Sequence, residues 1–147
     1  MKNSLAQLRY AFFLGCTIPY REASYEISAR KVFDKLGMEL VEMPDANCCG
    51  LPVDPANHEM MLALSARNLC LAEQQNVNIL TLCTGCATTL RKTNKLLKTD
   101  KKMKDEINGI LKQIDMEFKG TIEVKHMVQA LKEDLGFERI KNAVQRP

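Results

Sequence analysis

Apolar and polar positions follow two rhythms along this chain. Residues 9–15 are a short, almost unbroken apolar run, the pattern of a strand buried on both faces. Tyr25, Ala29, Val32, Phe33 and Leu36 then recur at helical spacing until Gly37, a residue suited to closing a helix. Residues 39–43 predict a second strand, followed by a loop over 44–53. Asp54-Pro55 has the form of an N-cap with proline at the first helical position, opening a helix through Met61, Leu64 and Leu69 to about residue 76. A third strand is expected over 78–82, a helix over about 85–97 and a further helical stretch over about 102–116. A fourth strand is expected over 121–125, with helices from His126 onward. Strands alternating with helices of this length predict an α/β fold, an open, mostly parallel four-stranded sheet with helices on both faces (Rossmann-like).

Length and composition narrow the class. A chain of 147 residues is expected to form a single domain over 1–147, large enough to bury a core without disulfide staples. No apolar run approaches the roughly 18 residues that span a bilayer, so a soluble chain with no transmembrane segment is expected. Residues 10–16 follow basic Lys2 and Arg9 and faintly resemble a lipoprotein signal. The run is too short for an h-region of about 7–15 residues, so it reads as a buried strand and the expected location is cytoplasmic. In that reducing compartment, spaced cysteines point to metal binding or catalysis rather than structural disulfides.

The net charge of +3 is too small to argue for nucleic acid. The basic residues are concentrated, however: Arg91, Lys92, Lys95, Lys98, Lys101, Lys102 and Lys104 crowd one segment. Such a segment reads either as a solvated helix face or as a docking surface for an acidic partner. It holds no aromatic residue to stack on a base, which disfavours nucleic acid. No internal repeat or low-complexity segment interrupts the chain.

The chemistry lies in the thiols. Cys16 falls at the end of the first strand, Cys48-Cys49-Gly50 in the loop after the second, and Cys83-Thr84-Gly85-Cys86 just after the third. In an open parallel sheet, sites form outside the carboxyl ends of the strands, so five thiols from three segments should meet at one edge. Five exceed the four ligands of a tetrahedral zinc site, whereas iron with sulfide offers more coordination positions and suits soft thiolates. Adjacent Cys48 and Cys49 can then reach different metal atoms, or one can bridge two. Gly15, Gly50 and Gly85 let the backbone approach closely. A helix opening at Cys83 and Cys86 points its amides and dipole at thiolate charge. Zinc held by four of the five thiols is the alternative.

The spacing, the CCG of residues 48–50 and the CTGC of residues 83–86 resemble the cysteine-rich CCG domain found in the B subunit of heterodisulfide reductase. The resemblance covers nearly the whole chain, including Val124-Lys125-His126, but matches only the first of the two copies that family carries. It implies a noncubane [4Fe-4S] cluster held by Cys16, Cys48, Cys49, Cys83 and Cys86. It also implies reduction or formation of a disulfide between two thiol coenzymes, the chemistry of methanogenesis. The implied partners are a ferredoxin-like iron-sulfur subunit of the C type, a flavin-containing subunit of the A type and a second CCG domain. Similar domains occur in iron-sulfur subunits of lactate, glycolate, glycerol-3-phosphate and succinate oxidising complexes, where the role is electron transfer alone.

Outside the motif, Cys70 is in helical phase with Ala63 and Ala66 and reads as a buried structural cysteine. His126 reads as a packing or capping residue, or as a group that tunes the cluster or passes a proton. His58 is expected to be exposed in the first turn of a helix, and Met60 and Met61 to lie in the core. Thr17 and Thr84 flank motif thiols and either hydrogen-bond to sulfur or cap helices.

Overall fold

A computed structural model describes residues 8–144 of the chain. Strand β1 (Leu8–Phe13) lies second in a four-stranded sheet with β2 (Met38–Glu42), β3 (Asn78–Thr81) and β4 (Val124–His126). The order is β2-β1-β3-β4 and every pairing is parallel, so the sheet is fully rather than mostly parallel. Ala11 faces Val41 on one side and Ile79 on the other, and Ile79 faces Val124.

Successive side chains of a strand point to opposite faces, and β1 feeds two cores. Ala11 and Phe13 join Ile79 and Val124 against α3 (His58–Gln75), α4 (Thr84–Thr99) and α5 (Lys101–Leu111). Tyr10 and Phe12 join Leu80 and Leu82 on the other face. Phe33 of α2 (Ala23–Lys35) packs edge-on against Phe12 there, with ring centroids 6.3 Å apart. Leu135 covers the same face from a π-helical turn (Ala130–Leu135) that continues α6 (Met127–Gln129). Helices therefore cover both faces, as the alternating pattern predicts. A short helix α1 (Ile18–Arg21) follows β1, and α7 (Phe137–Ala143) follows Gly136.

Several boundaries differ from the sequence reading. Asp54-Pro55 does not open α3, because Asp54 itself has helical dihedrals and the chain turns once more through 3-10 residues Leu51–Val53 and the residues after them. Asn57 is extended and caps the helix, its side chain accepting the Met60 amide at 2.9 Å. Strand β4 begins three residues later than expected. The Thr121 amide is taken by the Glu73 carboxylate at 2.7 Å and the Glu123 amide by the Asn78 side chain at 2.8 Å. The stretch expected to be helical over 102–116 leaves α-geometry after Leu111 and ends at Asp115, which has a φ of 56°.

The topology sets the site. From β1 the chain moves outward to β2, then returns past β1 to β3 and β4. The strand order thus reverses between β1 and β3, where a crevice opens at the carboxyl ends. The segments after β1 and β3 carry Cys16, Cys83 and Cys86, and the segment after β2 carries Cys48 and Cys49.

Candidate metal centre

The five motif thiols meet at this edge as a chain of contacts. Cys48 Sγ lies 3.8 Å from Cys16 Sγ. Cys49 neighbours Cys48 and Cys86, and Cys86 neighbours Cys83, closely enough for these thiols to shift one another's proton affinity. All are free thiols: Cys16 is exposed, Cys48 and Cys83 are half-buried, and Cys49 and Cys86 are buried. Among the described residues, no three His, Cys, Asp or Glu side chains gather around a single point for one metal ion.

The glycines shape the edge. Gly15 has a φ of +73°, and a β-carbon on it would come within 2.9 Å of Cys86 Sγ. A β-carbon on Gly85 would meet Leu51 at 3.1 Å and Cys83 Sγ at 3.7 Å. Both positions keep space clear beside sulfur. Gly50 does a different job: at a φ of +93° its backbone packs on Met61, whose carbonyl oxygen a β-carbon would approach to 2.8 Å. That contact fixes the CCG loop to α3.

Helix α3 holds this loop with buried polar side chains that sequence reasoning did not single out. Ser65, fully buried, donates to the Cys49 carbonyl. Asn68, also fully buried, accepts the Asn47 amide at 3.0 Å and donates to the carbonyls of Asn47, Cys48 and Leu64. Arg67 donates to the Asp45 carbonyl and to Asn47 Oδ1, each at 2.7 Å. The signal was present: Ser65 and Asn68 stand three apart on a helix stripe otherwise made of Leu62, Ala66 and Leu69. Polar groups inside such a stripe must find partners, and here the partners are the loop's backbone.

The electrostatics separate the thiols. The hydrogen bond from Cys86 holds Cys49 below the ordinary thiol range against the opposing effect of burial, and the Leu51 amide and Cys48 thiol assist. That bond to Cys49, with burial and the nearby sulfur charges, pushes Cys86 upward. Burial also pushes Cys48 up, only partly offset by the Gly50 amide. The Thr89 hydroxyl lies within reach of Cys49 and of the Gly85 carbonyl at 2.9 Å, and its single proton serves one of them.

Of the two flanking threonines, only Thr17 takes one of the expected roles among the described residues. Thr17 contacts Cys16 Sγ through its hydroxyl at 3.7 Å and makes no capping bond to α1. Thr84 lies exposed at the start of α4. His126 is a capping residue: Nδ1 accepts the Val128 amide at 3.3 Å, which leaves Nε2 to donate to the Leu82 carbonyl at 3.0 Å. It ties the end of β4 to the residue preceding Cys83. His58 is exposed as expected and pairs with Asp54 at 2.6 Å. Of the two methionines expected in the core, Met61 is buried but Met60 is half exposed, since it occupies the outer side of the first α3 turn.

Cys70 is buried away from the edge, as its helical phase predicts. Burial, with the Glu73 charge adding, pushes its thiol up to about 12, so it stays protonated and unreactive. It borders a hollow of about 690 Å³ between α3 and the segment after α5, whose lining includes none of the motif thiols. No helix among the described residues is long and apolar enough to cross a membrane.

A parallel α/β sheet with cysteines gathered at its switch point defines the class of thiol-rich α/β domains. Comparison with known proteins specifies the family: residues 10–91 match the family described as cysteine-rich domain CCG, and the chain belongs to it. The chain is 37% identical over 95% of its length to the B subunit of the ferredoxin/F(420)H(2)-dependent CoB-CoM heterodisulfide reductase of Methanosarcina acetivorans, covering 47% of that protein. It is 34% identical over 96% of its length to the 8-methylmenaquinol:fumarate reductase membrane anchor subunit of Wolinella succinogenes, covering 49% of it. The chain thus spans about half the length of these curated relatives. The fold recurs in the crystal structure of a hypothetical protein from Helicobacter pylori, with a TM-score of 0.74 at 19% identity over 85% of this chain and 25% of that one.

Proposed function

We propose that this chain is a CCG domain of an iron-sulfur redox subunit, in which Cys16, Cys48, Cys49, Cys83 and Cys86 hold a noncubane [4Fe-4S] cluster. The observation that carries this reading is the chain of sulfur contacts at the carboxyl edge, running from Cys16 through Cys48 and Cys49 to Cys86 and Cys83. Five soft donors strung over several ångströms suit a group with several metal positions better than one tetrahedral zinc ion. The space kept clear by Gly15 and Gly85 supports the same fit.

Such a cluster supplies one-electron redox chemistry and an iron with affinity for sulfur. The chain's own residues ready the ligands. Cys49 is held below the ordinary thiol range, the α4 amino terminus opens at Cys83 and Cys86, and Ser65, Asn68 and Arg67 fix the loop so that both members of the doublet keep their positions.

The substrate proposed is a disulfide between two thiol coenzymes, whose reduction consumes two electrons and two protons and yields two thiols. Similarity to the B subunit of a heterodisulfide reductase supports this, and the proposed partners are a second CCG domain and both a ferredoxin-like and a flavin-containing subunit. Similarity to a fumarate reductase subunit favours a second reading, in which the domain only carries electrons.

The test is anaerobic reconstitution with iron and sulfide, metal analysis and an absorption spectrum, then turnover of the disulfide with a strong chemical reductant, with and without a second CCG domain. Iron with matching sulfide and turnover only in the presence of the second domain is the expected result. Stoichiometric zinc without sulfide overturns the iron-sulfur reading. A reducible cluster with no turnover in either case leaves electron transfer as the function.

A further inference from the structure

Helix α4 starts at the proposed ligands and carries an outward face with a charge pattern unlike the rest of the molecule. Thr88, Arg91, Lys92, Lys95 and Lys98 recur at three- and four-residue spacing and line a cleft of about 520 Å³. Thr88 and Lys92 also line a smaller hollow of about 300 Å³ that reaches Leu51 and Gly85. The two hollows adjoin along one helix face that begins at the thiol edge.

The fold does not neutralise this face. Lys98 is engaged with Glu123 at 2.6 Å and the Ile122 carbonyl at 3.1 Å, but among the described residues Arg91 donates only to the neutral Gln129 amide at 3.0 Å. Among the described residues, Lys92 and Lys95 enter no ion pair. Arg91 and Lys95 are neighbours at i,i+4, and Lys92 and Lys95 at i,i+3, so like charges oppose each other along the helix. Two basic residues of α5 behave differently. Lys102 approaches Glu106 at 3.8 Å, and Lys104 donates to the Lys119 carbonyl and lies over the Phe118 ring. Lys101 too enters no ion pair among the described residues, but Arg91, Lys92 and Lys95 are the cations that stand together along one helix face beside the cleft.

A second observation lies in the wall of the same cleft. Asn94 is 3% exposed and donates through Nδ2 to the Ile122 carbonyl at 3.0 Å, while its Oδ1 is buried with no donor among the described residues. A buried acceptor without a partner is costly.

We infer that the Arg91, Lys92 and Lys95 face of α4 docks the acidic surface of a protein partner. The three uncompensated cations span about 6 Å of helix axis, and Lys98, already paired with Glu123, extends the basic face beyond them. The two adjoining hollows, about 520 and 300 Å³, run along this same face, an extent that suits several carboxylates of a protein surface rather than one small anion. No aromatic residue is present on this face to stack a base.

The inference rests on the redox reading above only in the choice of probe, an acidic plant-type ferredoxin. Its binding to the reconstituted chain is measured by titration across a salt series, with iron counted in every sample. Wild type is expected to bind with an affinity that falls as salt rises, and Lys92→Glu/Lys95→Glu to bind roughly tenfold or more weakly with a shallower salt dependence. Lys92→Gln/Lys95→Gln should fall between them. The control Lys31→Glu/Lys35→Glu has the same net charge but changes exposed positions of α2 on the other face of the sheet, and should bind like wild type. Absence of binding by wild type, equal loss in both Glu doubles, or displacement of the ferredoxin by tripolyphosphate or a short oligoribonucleotide overturns the inference. Retained binding in samples without iron leaves docking standing while the redox reading fails.

Discussion

At the residue scale, the thiols and their glycines were legible because both are rare residue types with narrow chemical uses. Cys16, Cys48, Cys49, Cys83 and Cys86 converge on the edge that the strand pattern assigned to them. The residues that hold the loop were not found, because Ser65 and Asn68 act through partners about 16 to 21 positions away in sequence. Their role depends on which backbone the fold delivers to them. Gly15 offers a sharp test of the cradle. Gly15→Ala places a side chain at a φ of +73°, which costs about 1–2 kcal/mol, and crowds Cys86 Sγ. The variant is expected to fold with a lowered melting temperature and to lose most of its iron. Gly109→Ala, where a β-carbon meets nothing within 4 Å, should keep its iron. Iron counting beside circular dichroism separates the two outcomes.

At the scale of elements, strand and helix existence followed from periodicity, whereas boundaries followed from side chains that bond across the fold. Asp54 looked like a cap by its neighbour Pro55, yet the extended residue is Asn57. Strand β4 is shortened by Glu73 and Asn78, residues a local pattern does not connect to it. The π-helical turn is anchored in the same way. Asp134 accepts from Lys125 of β4 at 2.6 Å and from the Tyr10 hydroxyl of β1. Burial tends to raise the Asp134 carboxyl, but hydrogen bonds from Lys125 and Tyr10 and the Lys125 charge outweigh it and hold it below the ordinary carboxylate range. A carboxyl depressed in the folded state stabilises above its unfolded value of about 3.9, and that stability is lost as pH falls through the folded value. Asp134→Asn is therefore expected to cost about 1–2 kcal/mol at neutral pH. The gap to wild type should shrink below about pH 4, as read by urea denaturation at a series of pH values.

At the scale of the whole molecule, the carboxyl edge of the sheet is rimmed by exposed apolar side chains. Tyr20, Leu51, Met60 and Val128 are 88%, 46%, 50% and 56% exposed, each in a segment just after a strand or at the start of α3. An apolar rim around a polar site suits an interface, and the relatives are about twice as long as this chain. If the proposed second CCG domain docks on this rim, Tyr20→Ser/Val128→Ser should weaken association with it while leaving the iron content of this chain unchanged. Analytical ultracentrifugation of the mixture reads the first effect and metal analysis the second. Unaltered association would assign the rim to another role.

The central claim is that five thiols hold one polynuclear cluster, and the most direct measurement is iron and sulfide stoichiometry across six single cysteine-to-serine variants reconstituted anaerobically. Serine in place of Cys16, Cys48, Cys49, Cys83 or Cys86 is expected to reduce both iron and sulfide and to alter the absorption spectrum. Cys70→Ser should retain both at the wild-type level, because that thiol is buried away from the edge. Full iron and sulfide in the Cys48 or Cys49 variant, or their loss in the Cys70 variant alone, would contradict the account.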